Sequence, residues 1–156
     1  MTEIDQEPVD AIPVLARWVR GTLVLIALGL VTVFGVAWWL DPYKGGKVWR
    51  METHTQLGLP PCTFKELTGL PCPSCGMTTS FALLVRGDVW HSLQANSVGT
   101  VLALFCLALI PWSLACAIWG RPWFIISLER ALTRVVIGFL ILMMVRWLVV
   151  LGLKLL

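Results

Sequence analysis

The sequence predicts an all-α integral membrane protein: three transmembrane helices, plus a short re-entrant or interfacial helix following a Cys-Pro-Ser-Cys-Gly motif. Three observations predict it. Of 156 residues, 58% are hydrophobic and 13% are charged, about half the charged fraction of ordinary soluble domains. Stretches at about 22–40, 97–119 and 135–153 are apolar and long enough to cross a hydrocarbon layer of roughly 30 Å. Between the first two lies a polar interval, 41–96, that holds three of the five cysteines. The formal charge of +3 is small and dispersed, and without a basic run interleaved with aromatics it sets nucleic-acid binding aside.

Residues 1–16 carry Glu3, Asp5, Glu7 and Asp10 with Pro8 and Pro13 and show no apolar periodicity, which predicts a flexible acidic tail. Residues 17–156 are then expected to form a single membrane domain. Thr22 to Leu40 is free of charge, flanked by Arg17 and Arg20 before and by Asp41 after. Trp18 and the pair Trp38-Trp39 stand where interfacial aromatic belts belong. The acidic start and the absence of a small-residue cleavage site argue for an uncleaved span rather than a signal peptide.

The interval 41–96 opens on the turn-rich, basic run Asp41 to Arg50, read as a solvated loop whose lysines can also meet lipid headgroups. An unstructured stretch of this length is uncommon in a compact protein, so short helices are expected within it. Met77 to Arg86, closed by Gly87, is one. At about ten residues it is too short to span, and it fits a re-entrant or interfacial segment. Val89 to Ala95, with Asp88 as N-cap, is the second.

Ser97 to Trp119 is the second span, and Pro111 within it should kink the helix. Cys106 and Cys116 lie ten residues apart on that helix, too distant to pair, and read as apolar packing residues. After Gly120-Arg121-Pro122-Trp123, the stretch Phe124 to Arg134 reads as an interfacial amphipathic turn. The third span, from Val135 to about Leu153, contains one charge, Arg146. An intramembrane cation needs a partner or a route to the interface. The candidates are Asp41, Asp88, a backbone carbonyl and the carboxylate at Leu156, with snorkelling as the alternative.

The chemistry is expected at Cys62, Cys72 and Cys75. Two residues between Cys72 and Cys75 suit either one shared metal or a small-ring disulfide. In the metal reading Pro73 stiffens a knuckle and Gly76 allows the positive φ that turns backbone N–H groups toward the sulfurs. In the redox reading, a helix starting near Gly76 favours a thiolate at Cys72. Cys62 adds a third ligand. Structural zinc takes four, and the only histidines, His54 and His91, both fall in the connecting region. His91, three residues from Asp88, is the candidate for a ligand oriented by a carboxylate, or else an interfacial histidine beside its cap.

The run from Cys62 through Thr-Gly-Leu-Pro-Cys-Pro-Ser-Cys-Gly-Met-Thr, followed by Gly87-Asp88 and then Asn96, resembles a family of small bacterial membrane proteins classed as a domain of unknown function. The resemblance covers about Cys62 to Ser97. It implies a membrane protein with a cysteine motif supported by Pro73, Gly76, Thr78, Thr79, Asp88 and Asn96, and it supplies no reaction. Many members carry Arg where this chain has Thr79 and Pro where it has Ser97, so a cation beside the cysteines is absent at that position.

Two readings of function from different classes follow. In the first, the cysteines, with His91, hold a structural zinc or a disulfide that shapes a surface for a membrane-protein partner. In the second, the protein is a membrane thiol–disulfide oxidoreductase in which Cys72 attacks, Cys75 resolves and Cys62 passes electrons on. A small transporter subunit is a third idea, motivated by Arg146 and Pro111. The expected location is a bacterial inner membrane. The three arginines of the short second connection favour a cytoplasmic N-terminus, which puts the cysteines outside the cytoplasm.

Overall fold

The computed structural model describes residues 14–121 and 128–155. The acidic residues 1–13, the start of the expected interfacial turn at 122–127 and the Leu156 carboxylate lie outside the described residues. Three helices are long and apolar enough to cross a membrane: α1 (Arg17–Trp39), α4 (Val89–Trp119) and α5 (Leu128–Leu155). Between α1 and α4 come an antiparallel hairpin, β1 (Tyr43–Lys44) with β2 (Lys47–Val48), a 3₁₀ helix (Thr53–Leu57), α2 (Thr63–Thr68) and α3 (Met77–Leu84).

α1 and α4 run antiparallel with their ends hydrogen-bonded. Leu15 donates its N–H to Gly120 O at 2.8 Å, and Leu23, Cys116 and Ala117 form a small buried cluster with Leu15, Val19 and Trp112 against it. The outer faces stay apolar, with Leu25, Leu28, Val31, Leu104, Leu107, Ile141 and Leu148 all exposed, as the hydrocarbon of a bilayer would solvate them.

Within α4 the backbone leaves helical geometry at Asn96, at φ −157° and ψ 104°. Asn96 acts as an internal N-cap: its side-chain oxygen accepts from Gly99 N–H at 3.0 Å, a donor that would otherwise bond to Ala95 O. α4 is thus a short helix, N-capped by Asp88 through His91 N–H at 3.3 Å, and then a long one. The expectation of a break at Pro111 is corrected. Torsions through Pro111 stay helical, because a proline removes one backbone donor whereas Asn96 supplies a side-chain replacement for one. The second correction concerns 128–134, which continues without interruption into the third span as the first turns of α5. A charged face is compatible with a longer helix.

α3 packs into the angle between α1 and α4. Phe81 stacks on Phe34 with ring centroids 5.7 Å apart, and Ala82 and Leu83 are fully buried. On the polar side, Ser92 donates to Ser80 O at 2.8 Å and shares a 2.7 Å bond with Thr100. A Cβ at Gly99 would stand 2.4 Å from Ser80 Oγ, so the absence of a side chain there lets α3 approach.

Three arginines cap helix carbonyls instead of pairing with acids. Arg20 donates to Ala117 O at 2.6 Å and Ile118 O at 3.2 Å, at the end of α4. Arg86 reaches Ala37 O at 3.2 Å and Trp38 O at the end of α1. Arg146 donates to Ala95 O at 3.1 Å, the acceptor vacated by the break at Asn96. Each cation meets the negative end of a helix dipole and carbonyls without helical donors. Of the partners considered for Arg146, the backbone carbonyl is the one found.

Candidate functional site

Cys62 is the N-cap residue of α2, set by the preceding Pro60-Pro61, and its carbonyl accepts from Glu66 N–H at 3.0 Å. Gly69 ends that helix in the left-handed conformation, at φ +70°, and the chain doubles back through Pro71 to Cys72. A tight turn follows, with Cys75 N–H on Cys72 O and Met77 N–H on Ser74 O, both at 3.1 Å. Gly76 then starts α3 at φ +83°. A Cβ at Gly76 would lie 2.6 Å from Ala95 O and 3.1 Å from Arg50 O. Glycine is therefore required twice over, by torsion and by contact.

This path gathers three sulfurs. The Sγ atoms of Cys62, Cys72 and Cys75 all lie within 4.8 Å of one another, with Cys72 and Cys75 2.9 Å apart as free thiols. They border an open cavity of about 350 Å³ that is also lined by Glu52, His54, Ser74, Thr78 and Thr79. Its walls are held from behind. Asn96 donates to Cys75 O at 3.1 Å, the hydroxyls of Thr53 and Thr79 are hydrogen-bonded in the interior, and Trp147 donates to Pro71 O at 2.8 Å while its ring meets the Phe64 ring edge-on.

Residues 62–110 match a family model described as a protein of unknown function (DUF2752). The match starts at the first of the three cysteines, covers α2 and α3, and ends within α4 next to Pro111, so this site and the internal cap at Asn96 fall inside the similar region. No curated protein and no solved structure matches the chain.

The two histidines occupy different surroundings. His91 is held by Asp88, with Nδ1 2.8 Å from the carboxylate, and Tyr43 donates to the other side of Asp88 at 3.0 Å. Burial alone would raise the Asp88 carboxyl, but the hydrogen bonds from His91 and Tyr43 outweigh it and hold the group below the usual carboxylate range. His91 does not join the cysteine group. His54, beside the buried Thr53, lines the cysteine cavity instead. Sequence spacing favoured His91 because of its neighbouring carboxylate; the only signal for His54 was that it is the other histidine in the same interval.

The thiols of the Cys-x-x-Cys pair are displaced in opposite directions. Burial acts on both and raises both. At Cys72, hydrogen bonds from Cys75, Ser74, Cys62 and the Ser74 N–H more than offset burial, and the net shift is downward. At Cys75, burial together with its hydrogen bond to Cys72 pushes the thiol up to about 12. Two cations lie close enough to act on the sulfurs electrostatically: Lys65 on Cys75 and Cys62, and Arg146 on Cys75. The cation missing at Thr79 is thus replaced from α2 and α5. Lys65 is in turn fixed by Glu52 at 2.7 Å.

Proposed function

We propose that the protein is a polytopic bacterial inner-membrane protein whose three cysteines hold a divalent metal, zinc by its preference for thiolate, as a structural centre shaping a surface for a membrane-protein partner. The observation that carries this reading is the convergence of three sulfurs, from two separate turns of chain, within 4.8 Å of one another around one cavity. A dithiol needs two cysteines, whereas a zinc–thiolate centre uses three or four. Zinc–sulfur bonds of about 2.3 Å in a tetrahedron put sulfurs roughly 3.8 Å apart, so the present separations need only side-chain adjustment. Binding would release the thiol protons to solvent, and the resulting negative charge would sit beside Lys65 and Arg146.

Metal analysis with thiol counting, on protein purified in mild detergent without reductant, tests it. About one zinc per chain, with three thiols released only on chelation, is the expected result. No metal and two thiols fewer than the five cysteines would refute it and mean a disulfide.

A second reading, thiol–disulfide exchange, is favoured by the opposite displacement of Cys72 and Cys75. The Cys72 thiolate would attack a substrate disulfide, forming a mixed disulfide and releasing one substrate thiolate. Cys75, on losing its proton, would attack Cys72 Sγ and release the second, so that the substrate is reduced and Cys72–Cys75 oxidised. Under this reading Cys75→Ser accumulates mixed disulfides through Cys72 with the fold intact. Under the metal reading, Ser at position 62, 72 or 75 lowers metal content and stability alike.

A further inference from the structure

The metal reading leaves the fourth coordination position open, and three side chains on the strip Glu52-Thr53-His54 face that region of the structure. Glu52 lines the cavity, but its carboxylate is bound to Lys65 at 2.7 Å. The Thr53 hydroxyl is fully buried and bonded to Thr79. His54 is half-buried on the cavity wall, and its ring has no hydrogen-bond or ion-pair partner among the described residues. Elsewhere, His91 Nδ1 is committed to Asp88. An imidazole with both nitrogens uncommitted, beside three thiols, is the donor that a borderline-soft cation accepts most readily after sulfur.

We infer that His54, rather than His91, is the fourth ligand, making a Cys3His centre from Cys62, Cys72, Cys75 and His54; the inference rests on the metal reading above. The 3₁₀ helix has the geometry for such a role. Glu52 enters it at φ +69° and Gly58 leaves it at φ +75°, while Thr53 anchors it to α3. The ligand-bearing turn is therefore fixed to the helix that begins just after Cys75. A neutral imidazole also keeps the centre at one net negative charge, which two cations flank; a fourth carboxylate or thiolate would add another.

Cobalt(II) is the probe, titrated into the full reduced, metal-free chain in detergent, because its visible bands report tetrahedral geometry and donor type. Wild-type protein is expected to bind one cobalt with the bands of a three-sulfur, one-nitrogen tetrahedron. His54→Gln, with unchanged unfolding temperature in the metal-free form, is expected to bind at least about tenfold more weakly, a lower bound taken from the loss of mere hydrogen-bonding partners at metal sites. Its bands should shift, and added imidazole should restore them in His54→Gly, which a purely structural role would not allow. His91→Gln should match wild type. Cobalt bound equally by wild type and the His54 variants, with the same spectrum, would overturn the assignment while leaving a three-cysteine centre standing, as would weakening at His91→Gln alone. No cobalt binding by wild-type protein would overturn the metal reading and this inference together.

Discussion

Replacing Gly76 by alanine should damage the site more than any other single methyl group. Two costs add at this position. At φ +83° an L-residue pays about 1–2 kcal/mol for the left-handed backbone. Its Cβ would stand 2.6 Å from Ala95 O and 3.1 Å from Arg50 O, both backbone atoms that cannot rotate away, and overpacking of this kind costs about 1–3 kcal/mol. The sum is about 2–5 kcal/mol. Ala95 O is also the acceptor for Arg146, so displacing it disturbs the docking of α5. Gly69→Ala is the matched control: its φ is +70°, but no atom lies within 4 Å of the added carbon, so only the torsional cost of about 1–2 kcal/mol applies. Thermal unfolding in detergent should therefore rank wild type above Gly69→Ala and Gly69→Ala above Gly76→Ala. If Gly76→Ala were no less stable than Gly69→Ala, the close approach of α3 to the break in α4 would be refuted.

Asn96→Ala leaves Cys75 O and Gly99 N–H without their side-chain partners and should cost about 2–4 kcal/mol in the same unfolding measurement; Asn96→Asp should recover only the capping part. Arg146→Met, which strands Ala95 O, should cost about 1–3 kcal/mol, and a neutral result would mean that Arg146 snorkels to the interface instead. In metal-free protein, iodoacetamide at pH 7 should modify Cys72 on the order of fifty-fold or more faster than Cys75. Cys72 titrates below an ordinary thiol and Cys75 at about 12, and the lower intrinsic nucleophilicity of the more acidic thiolate offsets only about half of that difference. Because thiolate forms as pH rises, Cys75 labelling should keep climbing well above the pH at which Cys72 labelling levels off. Peptide mapping by mass spectrometry reads both, and equal rates at pH 7 would refute the asymmetry.

The spans were legible in the sequence because a bilayer imposes a one-dimensional requirement, about twenty apolar residues in a row, which Thr22–Leu40, Ser97–Trp119 and Val135–Leu153 meet without reference to any neighbour. The short helix after Gly76 and the cap at Asp88 were legible for a similar reason, since caps and glycines act on the residues next to them. The nearness of Cys72 and Cys75 also follows from spacing alone.

What the tertiary structure decided are the pairings that cross the chain. Cys62 joins the pair because Gly69 reverses the chain between α2 and the second cysteine. His54 reaches the cavity and His91 does not, because Thr53 ties one to α3 while Asp88 holds the other. The break in α4 falls at Asn96 and not at Pro111 because a side-chain oxygen there takes over a backbone donor. The same break frees Ala95 O for Arg146, fifty-one residues away. A backbone carbonyl has no letter in a sequence. Its availability depends on which helical bond is broken, and only the folded chain specifies that.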